Sequence, residues 1–443
     1  MEAARHPTFG EAFRFWLKLG FISFGGPTGQ IAIMHTELVE RKKWIGEQRF
    51  LHALNYCMLL PGPEATQLAT YCGWLLHRTW GGIIAGALFV LPAVFLLCGL
   101  SYVYAADGAV PWIAAIFYGL KPAVTAIVVA AVIRIGRRAL KGWLMWAIAG
   151  TAFGLIFFLH VPFPAIIAGA AVAGWIIGRN GGPVNAGGER AAAGRAAATA
   201  AGSAFVIGDA AESPAHTRPS LARAAKVLVV SLVLWWAPVL ALGAWQGWSS
   251  TLPQEGIFFS KAAMVTFGGA YAVLPYVQQQ AVGHFHWITA PQMLDGLGLA
   301  ETTPGPLIMV VQFVGFLGGW QHPGALPPLV AATLGALITT WTTFVPCFLW
   351  IFLGAPHIEQ MRGNAGLATT LTGVTAAVVG VVLNLAVWFA LHVFIPKGLH
   401  GAAVDWFAIV VCVGAFVAMQ RFKVGIIPVV IASGALGLVW SVM

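Results

Sequence analysis

The chain repeats itself at a shift of 243 residues. The tripeptide FGG at 24–26 recurs at 267–269 (267 − 24 = 243), and PGP at 61–63 recurs at 304–306. Farther along, the register slips, and a further proline and a further glycine still match in order. Because several distinct motifs recur in one order, we interpret the chain as a duplication of a unit of about 170 to 190 residues.

The apolar character of the chain indicates a membrane protein. Apolar residues make up 59% of the 443 residues and charged residues 9%, and the mean hydropathy is +0.82. Soluble domains are about a quarter charged. Windows such as 81–106 and 367–390 contain no charged residue, which is typical of transmembrane helices. We therefore predict an all-α polytopic membrane protein, without a cleaved signal at its start.

Several functional classes lack their signatures in this sequence. The five cysteines lie in apolar stretches without a CxxC motif, and the twelve histidines show no HxxxH or HExxH spacing. We expect no metal site and no cofactor. The apolar segments offer no GxSxG motif and no paired aspartates, so we do not expect an enzyme. The net charge of +9 fits basic cytoplasmic loops better than a nucleic-acid partner.

Composition divides the chain into four parts. We predict an N-terminal transporter repeat at 1–178, a flexible cytoplasmic linker at 179–223, a connecting transmembrane helix at 224–250 and a C-terminal inverted repeat at 251–443. The linker is rich in Ala, Gly and Ser with scattered Arg, so it lacks the bulk to bury a core. We therefore expect deletion of about 187–217 to leave transport largely intact.

The basic residues favour hairpins that enter and leave the membrane on one side. The clusters at 41–49 and 134–141 should both be cytoplasmic, together with the N-terminus and the linker. Three apolar stretches separate these clusters, and three full crossings would place them on opposite sides. The conflict disappears if 11–36 and 50–77 are re-entrant hairpins that turn at FGGP and LLPGPE. Each arm of about a dozen residues would reach about 18 Å, to the bilayer midplane.

The second half should be upside down relative to the first. The additional apolar stretch between the halves adds one crossing. The segment 283–293, which matches the basic 41–49 loop, contains no Lys or Arg. Inverted repeats with broken helices are a secondary-transporter architecture whose site lies at the midplane. Counting every hairpin as a full span gives six, one and six crossings and the same inversion, so hairpins and full spans both stay open.

The glycines and prolines of the two motifs predict broken helices. Glycine permits tight turns and a close approach of backbone, and proline suits the first position of the helix that follows. Each break would end one half-helix and begin another with free N–H groups. The alternative is a glycine-packed helix crossing or a plain kink.

Half-helices that begin at the midplane predict an anion site. Each helix N-terminus carries about half a positive charge and donates N–H groups to oxyanions. Four of them would offer about two positive charges, which suits a tetrahedral dianion. The alternative is that the polar side chains only cap helices or bond to neighbouring helices. The candidate substrate-binding residues are Ser23, Gly25, Gly26, Pro27, Thr28, Gln30, Pro61, Gly62, Pro63, Gln67, Thr266, Gly268, Gly269, Thr302, Thr303, Gly305 and Gln312.

Ionisable residues inside apolar segments are candidates for an anion path or for proton coupling. Lys18 and Lys261 occupy equivalent positions before the FGG breaks, where they could attract an anion or extend to the membrane interface. Lys121 has no basic counterpart in the other half. Glu64 could stabilise the first turn of a helix or carry a proton, and Glu301 could carry a proton or bond to a neighbour.

Four extended motifs resemble a known family. FGGPTGQIAIMHTELVERKKWI, LLPGPEATQLATYCGWLLH, FGGAYAVLPYVQQQAV and AETTPGPLIMVVQFVGF are similar to the signatures of the chromate ion transporter family in its long, two-domain form. The resemblance covers both halves outside the linker. It implies a bacterial inner-membrane protein that exports chromate, with sulfate as the chemical analogue.

The resemblance and the residues together lead to one functional prediction. We expect a secondary transporter that exports chromate or a related oxyanion, driven by the membrane potential with or without a proton, in a lipid bilayer and as a monomer or a homodimer. The alternative is a transporter or channel for another inorganic anion such as sulfate. A cation–proton antiporter fits less well because Glu64 and Glu301 are not equivalent in the repeat.

Overall fold

The computed structural model describes residues 5–24, 26–108, 110–179, 205–208, 219–357, 365–396 and 404–442. Gly25 and most of the linker lie outside these ranges, so the predictions made for them stay predictions. Within the described ranges the regular elements are helices, apart from one isolated bridge between Ile45 and Ile207.

The first half and the connecting helix comprise α1 to α8. Their bounds are α1 Phe9–Ile22, α2 Gly26–His35 with a π-helical extension Thr36–Arg41, α3 Glu47–Leu59, α4 Glu64–Asp107, α5 Pro111–Ala139, α6 Trp143–Leu159, α7 Phe163–Arg179 and α8 Leu221–Gln246.

The second half comprises α9 to α16. Their bounds are α9 Thr251–Val265, α10 Ala270–Ala281, α11 Ala290–Thr302, a 3₁₀ turn Leu307–Met309, α12 Val310–Gln321, α13 Pro328–Gly354, α14 Ala365–Phe394, α15 Trp406–Arg421 and α16 Ile426–Val442.

The two halves follow the same order of elements. The apparent exception is α4, which is one helix where the second half has α12 and α13. However, His77 and Arg78 have non-helical backbone angles, so α4 consists of two helices, 64–76 and 79–107. A Cβ on Gly73 would collide with the carbonyl oxygen of Gly81, which means that the second helix folds back against the first. Gly315 and Gly335 make the same close approach between α12 and α13: a Cβ on Gly315 would lie 2.6 Å from the carbonyl oxygen of Gly335.

The helices confirm an all-α, multi-pass membrane protein. Five helical segments of the described residues are long and apolar enough to cross a membrane: 64–107, 111–139, 221–246, 328–357 and 369–394. Shorter apolar helices such as α6, α7, α15 and α16 pack beside them. Small residues mediate close packing, as expected where lipid provides no hydrophobic drive for helix association. Gly20 of α1, for example, contacts Leu88 and Pro92 of the long segment 79–107.

A short piece of the linker packs against the first half. The backbone N–H groups of Val206 and Ile207 donate to the carbonyls of Lys43 (3.0 Å) and Trp44 (3.1 Å), and Gly46 N–H donates to Ile207 O (2.9 Å). The Ile207 side chain is 6% exposed. Our expectation that the linker lacks the bulk to bury a core was therefore wrong for 205–208. The average composition of the linker did not reveal the three consecutive apolar residues Phe205, Val206 and Ile207.

This contact predicts that two linker deletions will differ. Removing 187–203 should leave the thermal unfolding midpoint and transport per inserted protein unchanged. Removing 187–217 also deletes Ile207, and losing one buried isoleucine costs about 1.5–3 kcal/mol of hydrophobic stabilisation. The larger deletion should therefore lower the unfolding midpoint, measured by fluorescence-detected thermal unfolding in detergent. Equal midpoints for the two deletions would show that the 205–208 contact contributes no stability.

Candidate functional site

Each FGG and PGP motif interrupts a helix. The chain breaks between α1 and α2, between α3 and α4, between α9 and α10, and between α11 and the turn before α12. The glycines at these breaks adopt positive φ angles in equivalent pairs: 70° at Gly26 and 93° at Gly269, and 119° at Gly62 and 110° at Gly305. Other residues rarely adopt such angles, which explains why glycine stands at these four positions.

Two of the three prolines lie one position earlier than expected. We predicted that Pro27, Pro63 and Pro306 would be the first residues of the following helices. Instead Pro63 and Pro306 are the cap residues just before their helices, with extended ψ angles of 107° and 132°. Pro27 is the second residue of α2, one position later than predicted. The difference arises because the preceding glycine turns the backbone and the helix needs one more extended residue to start.

Two reciprocal hydrogen bonds join the breaks of one half to those of the other. Gly62 N–H donates to Thr266 O at 2.8 Å, and Gly305 N–H donates to Ser23 O at 2.8 Å. Both partners shift by 243 residues between the two bonds (305 − 62 = 243; 266 − 23 = 243), so the bonds are equivalent in the repeat. Thus each PGP break contacts the FGG break of the opposite half, and all four breaks gather in one region.

Gln30 reinforces one of these two junctions. Its buried side-chain Nε2 donates to Gly305 O at 2.6 Å and to Ser23 O at 3.4 Å. The equivalent position in the second half is Val273 (30 + 243 = 273), which has no polar group. The two junctions therefore share their backbone bonds and differ in their side chains.

The predicted hydroxyl groups mainly support the helix ends. Ser23 Oγ donates to Leu19 O at 2.6 Å, and Thr266 Oγ1 donates to Ala262 O at 2.6 Å, which is the same bond in each half. The hydroxyls of Thr302 and Thr303 likewise donate to carbonyls of α11. Their role as ligands stays a prediction, since a hydroxyl that donates to one group can still accept from another.

Two of the predicted glutamine side chains donate hydrogen bonds to backbone carbonyls through their amide nitrogens. Gln67 Nε2 donates to Pro61 O at 2.8 Å, and Gln312 Nε2 donates to Val94 O at 2.8 Å. The Oε1 atoms of both are buried and accept no hydrogen bond from the described residues. Thr28 is exposed near the start of α2. The amide donors of Gln67 and Gln312 are therefore used for structure, and the role of all three residues as ligands stays a prediction.

The helix starts at the breaks lack side-chain caps. Neither α4, nor α10, nor the 3₁₀ turn before α12 receives a capping hydrogen bond from the side chain at its start. Uncapped first turns retain N–H groups that can bind an anion. The Glu64 carboxyl, at the first position of α4, lies beside the start of α10: a Cβ on Gly269 would be 3.7 Å from Glu64 Oε1.

A second carboxyl lies beside the same helix start. Tyr271, in the first turn of α10, donates a hydrogen bond to Glu301 Oε1, and both side chains are buried. Glu301 was predicted from its place before PGP, whereas Tyr271 was missed. The position of Tyr271, two residues after FGG in the sequence, could have identified it.

Two arginines of α5 act electrostatically on side chains of this region, and the sequence analysis missed them. Arg134 acts electrostatically on Glu301 and Tyr271, and Arg138 acts on Glu64. They are four residues apart and so share one face of the helix. We had assigned them to a cytoplasmic loop cluster at 134–141. In the structure α5 continues to Ala139, so both arginines lie on the last turns of a helix.

Lys121 belongs to a separate cluster with an acid that was also missed. Its Nζ lies 3.6 Å from Asp295 Oδ2, and Tyr104 O–H donates to the same oxygen at 2.9 Å. Asp295 is 3% exposed. The cluster joins α4 and α5 of the first half to α11 of the second. Asp295 lies in the segment APQMLDGLGLAETTPGP, where an acid within an apolar run was the available signal.

Lys18 and Lys261 do not join the breaks. Both side chains are exposed, and neither forms an ion pair or hydrogen bond with a described residue. Exposure fits a lysine that extends to the membrane interface and equally one that faces an aqueous entrance. Their role in an anion path stays a prediction.

The breaks combine helix starts without side-chain caps and carboxyl groups. An uncapped helix start contributes positive potential that favours an anion. Glu64 and Glu301 provide carboxyls. Among the described residues no group of three or more His, Cys, Asp or Glu side chains could hold a metal ion.

Proteins of one known family align with most of this chain. The profile of the chromate transporter family matches residues 10–175 and 254–438, that is, both halves without the linker and α8. The chain is 33% identical over 387 residues to a chromate transport protein of Pseudomonas aeruginosa, covering 86% of this chain and 81% of that protein. It is 26% identical over 392 residues to a chromate transport protein of Cupriavidus metallidurans, covering 86% and 83%.

A shorter relative matches about one third of the chain. An uncharacterized transporter of Bacillus subtilis is 32% identical over 147 residues, which is 32% of this chain and 70% of that protein. No solved structure matches the chain. The family profile and the long relatives confirm the resemblance carried by the FGG and PGP motifs: the chain belongs to the chromate transporter family.

Proposed function

We propose that this protein exports chromate across the bacterial inner membrane, and that it holds the dianion where the four helix breaks meet. The observation that carries the proposal is the reciprocal pairing of FGG and PGP breaks, which brings together helix starts without side-chain caps. The names of the long relatives support chromate as the substrate.

We further propose that the broken segments of the first half are re-entrant hairpins. Pro7 O, just before α1, bonds to His77 Nε2 at the turn within α4, at 3.0 Å. Lys42, in the loop before α3, lies over the ring of Phe15 of α1, with Nζ 5.7 Å from the ring centroid. The start of α1, the loop at 42–46 and the turn at 77–78 are therefore neighbours. This supports two hairpins that enter and leave on one face.

The second half offers the same kind of support. Thr251 Oγ1, at the start of α9, donates to His322 O at 3.2 Å, and His322 Nε2 lies 3.2 Å from His286 O. Trp287 packs on Phe258 of α9, with ring centroids 5.9 Å apart. Hence the start of α9, the loop after α10 and the turn after α12 are also neighbours, as two hairpins on one face would require.

The two sets of hairpins would lie on opposite faces. Five helical segments connect them: 79–107, α5, α6, α7 and α8. Five crossings invert the second half. The inversion places Arg41, Lys42, Arg78, Arg137, Arg179, Arg223 and Arg421 on one face, which the positive-inside rule makes cytoplasmic. This orientation also puts the N-terminus and the linker in the cytoplasm.

An inverted pair of hairpins suits a dianion. A helix start contributes about half a positive charge, and its N–H groups match the oxygens of a tetrahedral oxyanion. Arg134 and Arg138 add guanidinium groups that recognise oxyanions through fixed donors. Sulfate has the same charge and shape. It is therefore the alternative substrate, carried by the same site.

The membrane potential is sufficient to drive export. Moving one charge through 100 mV is worth about 2.3 kcal/mol, so a dianion leaving a cell that is negative inside gains about 4.6 kcal/mol. That corresponds to more than a thousandfold in concentration ratio. Glu64 and Glu301 are placed to add a proton to the cycle, because each lies next to the start of α10.

Anion flux in proteoliposomes tests the function. The purified full-length protein should release trapped radiolabelled chromate in a saturable manner. An imposed inside-negative potential should speed release, because the moving species carries two negative charges. Unlabelled sulfate should compete if it shares the site. Protein-free vesicles and a Gly269→Val protein are the controls. Flux that is unsaturable would indicate a channel, and flux that ignores the potential would contradict electrogenic export.

The glycines at the breaks should matter more than the hydroxyls. Valine at Gly26, Gly268 or Gly269 must adopt a φ of 70°, 81° or 93°, so each variant should lose chromate efflux while still inserting. The same loss is expected at Gly25. Ser23→Ala and Thr266→Val each remove one hydrogen bond, worth about 1 kcal/mol, and should retain most efflux.

The PGP breaks extend this order and supply a control. Gly62→Val should be more severe than Pro63→Ala, since a Cβ at Gly62 would be 3.0 Å from Gln67 Nε2 while alanine can still precede a helix. Gly150→Val in α6 is the matched control, because its Cβ would meet nothing within 4 Å. Active glycine variants together with inactive hydroxyl variants would show that side chains, not helix starts, bind the anion.

A further inference from the structure

Glu255 is a buried acid that the proposed anion site does not use. It is the fifth residue of α9, and its side chain is 0% exposed. Both carboxyl oxygens are buried without a hydrogen-bond partner among the described residues. Eleven residues separate it from Thr266 at the FGG break, or about 16 Å along the helix. It therefore lies apart from the site where the breaks meet.

Two glycines of the neighbouring helices form the space for this carboxyl. A Cβ on Gly318 of α12 would collide with Glu255 Oε1, and a Cβ on Gly335 of α13 would lie 2.9 Å from Glu255 Oε2. The side chain thus fills a notch between α12 and α13 that any larger residue at 318 would close.

Charged partners do not compensate this burial. The elements packed against α9 are α8, α10, α12 and α13. Their titratable side chains are Arg223 and Lys226 near the start of α8, Tyr271 and Tyr276 of α10, and Cys347 of α13, and α9 itself adds Lys261. None forms a hydrogen bond or ion pair with Glu255. An ionised carboxylate without a partner is costly in such surroundings, so the neutral acid is the form this notch accepts.

The repeat shows that helix packing does not require an acid here. The equivalent residue of α1 is Ala12 (255 − 243 = 12), which is buried at 4% exposure. An unpaired buried carboxyl that only filled space would lower the stability of the fold, with no hydrogen bond or ion pair to compensate. Glu255 is also close to the end of its helix, about 6 Å from the start of α9. A small separation of α9 from α12 and α13 would bring water to it.

We propose that Glu255 is a proton-binding site whose occupancy changes during the transport cycle. The carboxyl carries a proton while α9 is packed against α12 and α13. When these helices separate, the carboxyl O–H bond breaks, the proton passes to water, and the hydrated carboxylate stays on the protein. Reclosure requires the carboxylate to take up a proton again. The movement of α9 relative to α12 and α13 is therefore linked to proton binding in the second half of the chain.

Infrared spectroscopy tests the proton directly, without any transported anion. The full-length protein in lipid should show the C=O stretch of a protonated carboxyl at pH 7. Glu255→Gln should remove that contribution, while Glu40→Gln, at a side chain that is 57% exposed, should leave it unchanged. An unchanged band in Glu255→Gln would overturn the proposal. If that variant fails to insert, Glu255→Ala, which copies Ala12, replaces it.

Flux measurements test the link to transport, and this arm rests on the proposed function. A single titrating group can change flux by at most about tenfold per pH unit. The wild-type protein should show a pH response of chromate flux, and Glu255→Gln should reduce that response, leaving only the part that Glu64 and Glu301 contribute. Loss of the infrared band with an unchanged pH response would overturn the link. A wild-type protein that moves no chromate or sulfate would instead refute the proposed function, and the infrared result would still decide whether Glu255 binds a proton.

Discussion

The two hydrogen bonds between opposite breaks determine the arrangement of the rest of the structure. Gly62 and Gly305 turn the backbone with positive φ, and each donates its N–H to the carbonyl that ends a half-helix of the other repeat. Irregular backbone at membrane depth is tolerated only where its polar groups are satisfied inside the protein. Each half therefore provides the carbonyl that accepts from a backbone N–H at the PGP break of the other half. Neither bond can form within one half.

This dependence has consequences for charge and movement. The interlocked breaks bring several helix starts together, and two arginines of the first half, Arg134 and Arg138 of α5, act electrostatically on side chains there. The acids are also distributed unevenly between the two halves. None of the four has an acidic counterpart at the equivalent position of the other half: Glu64, Glu301, Asp295 and Glu255. A symmetric frame with asymmetric side chains lets the two halves respond differently to a proton or an anion. Both bonds join the two halves, so moving the halves apart at the breaks would break them, at about 1 kcal/mol each.

The sequence predicted the architecture better than the side-chain contacts. Repeated motifs and hydropathy were sufficient for the helices and the positions of all four breaks, because these depend on glycine, proline and long apolar runs. The family came from the resemblance of four extended motifs. The bend at His77–Arg78 and the docking of 205–208 depend on tertiary contacts that no local pattern records. Arg134 and Arg138 were missed because a basic cluster at a helix end is typical of a cytoplasmic loop. Glu255 was missed because a single acid in an apolar helix has no motif, and its notch is formed by glycines about 60 and 80 residues away.

The central claim is that the broken segments are hairpins that enter from opposite faces and meet in the membrane. Single cysteines at Lys43 and His284, in an otherwise cysteine-free protein in intact cells, test it most directly with a membrane-impermeant thiol reagent. We predict that the cysteine at 284 reacts from the periplasm and that the cysteine at 43 reacts only after the cytoplasmic face is opened. Labelling of position 43 from the periplasm would mean that 11–36 crosses the membrane completely, and it would contradict the hairpin account.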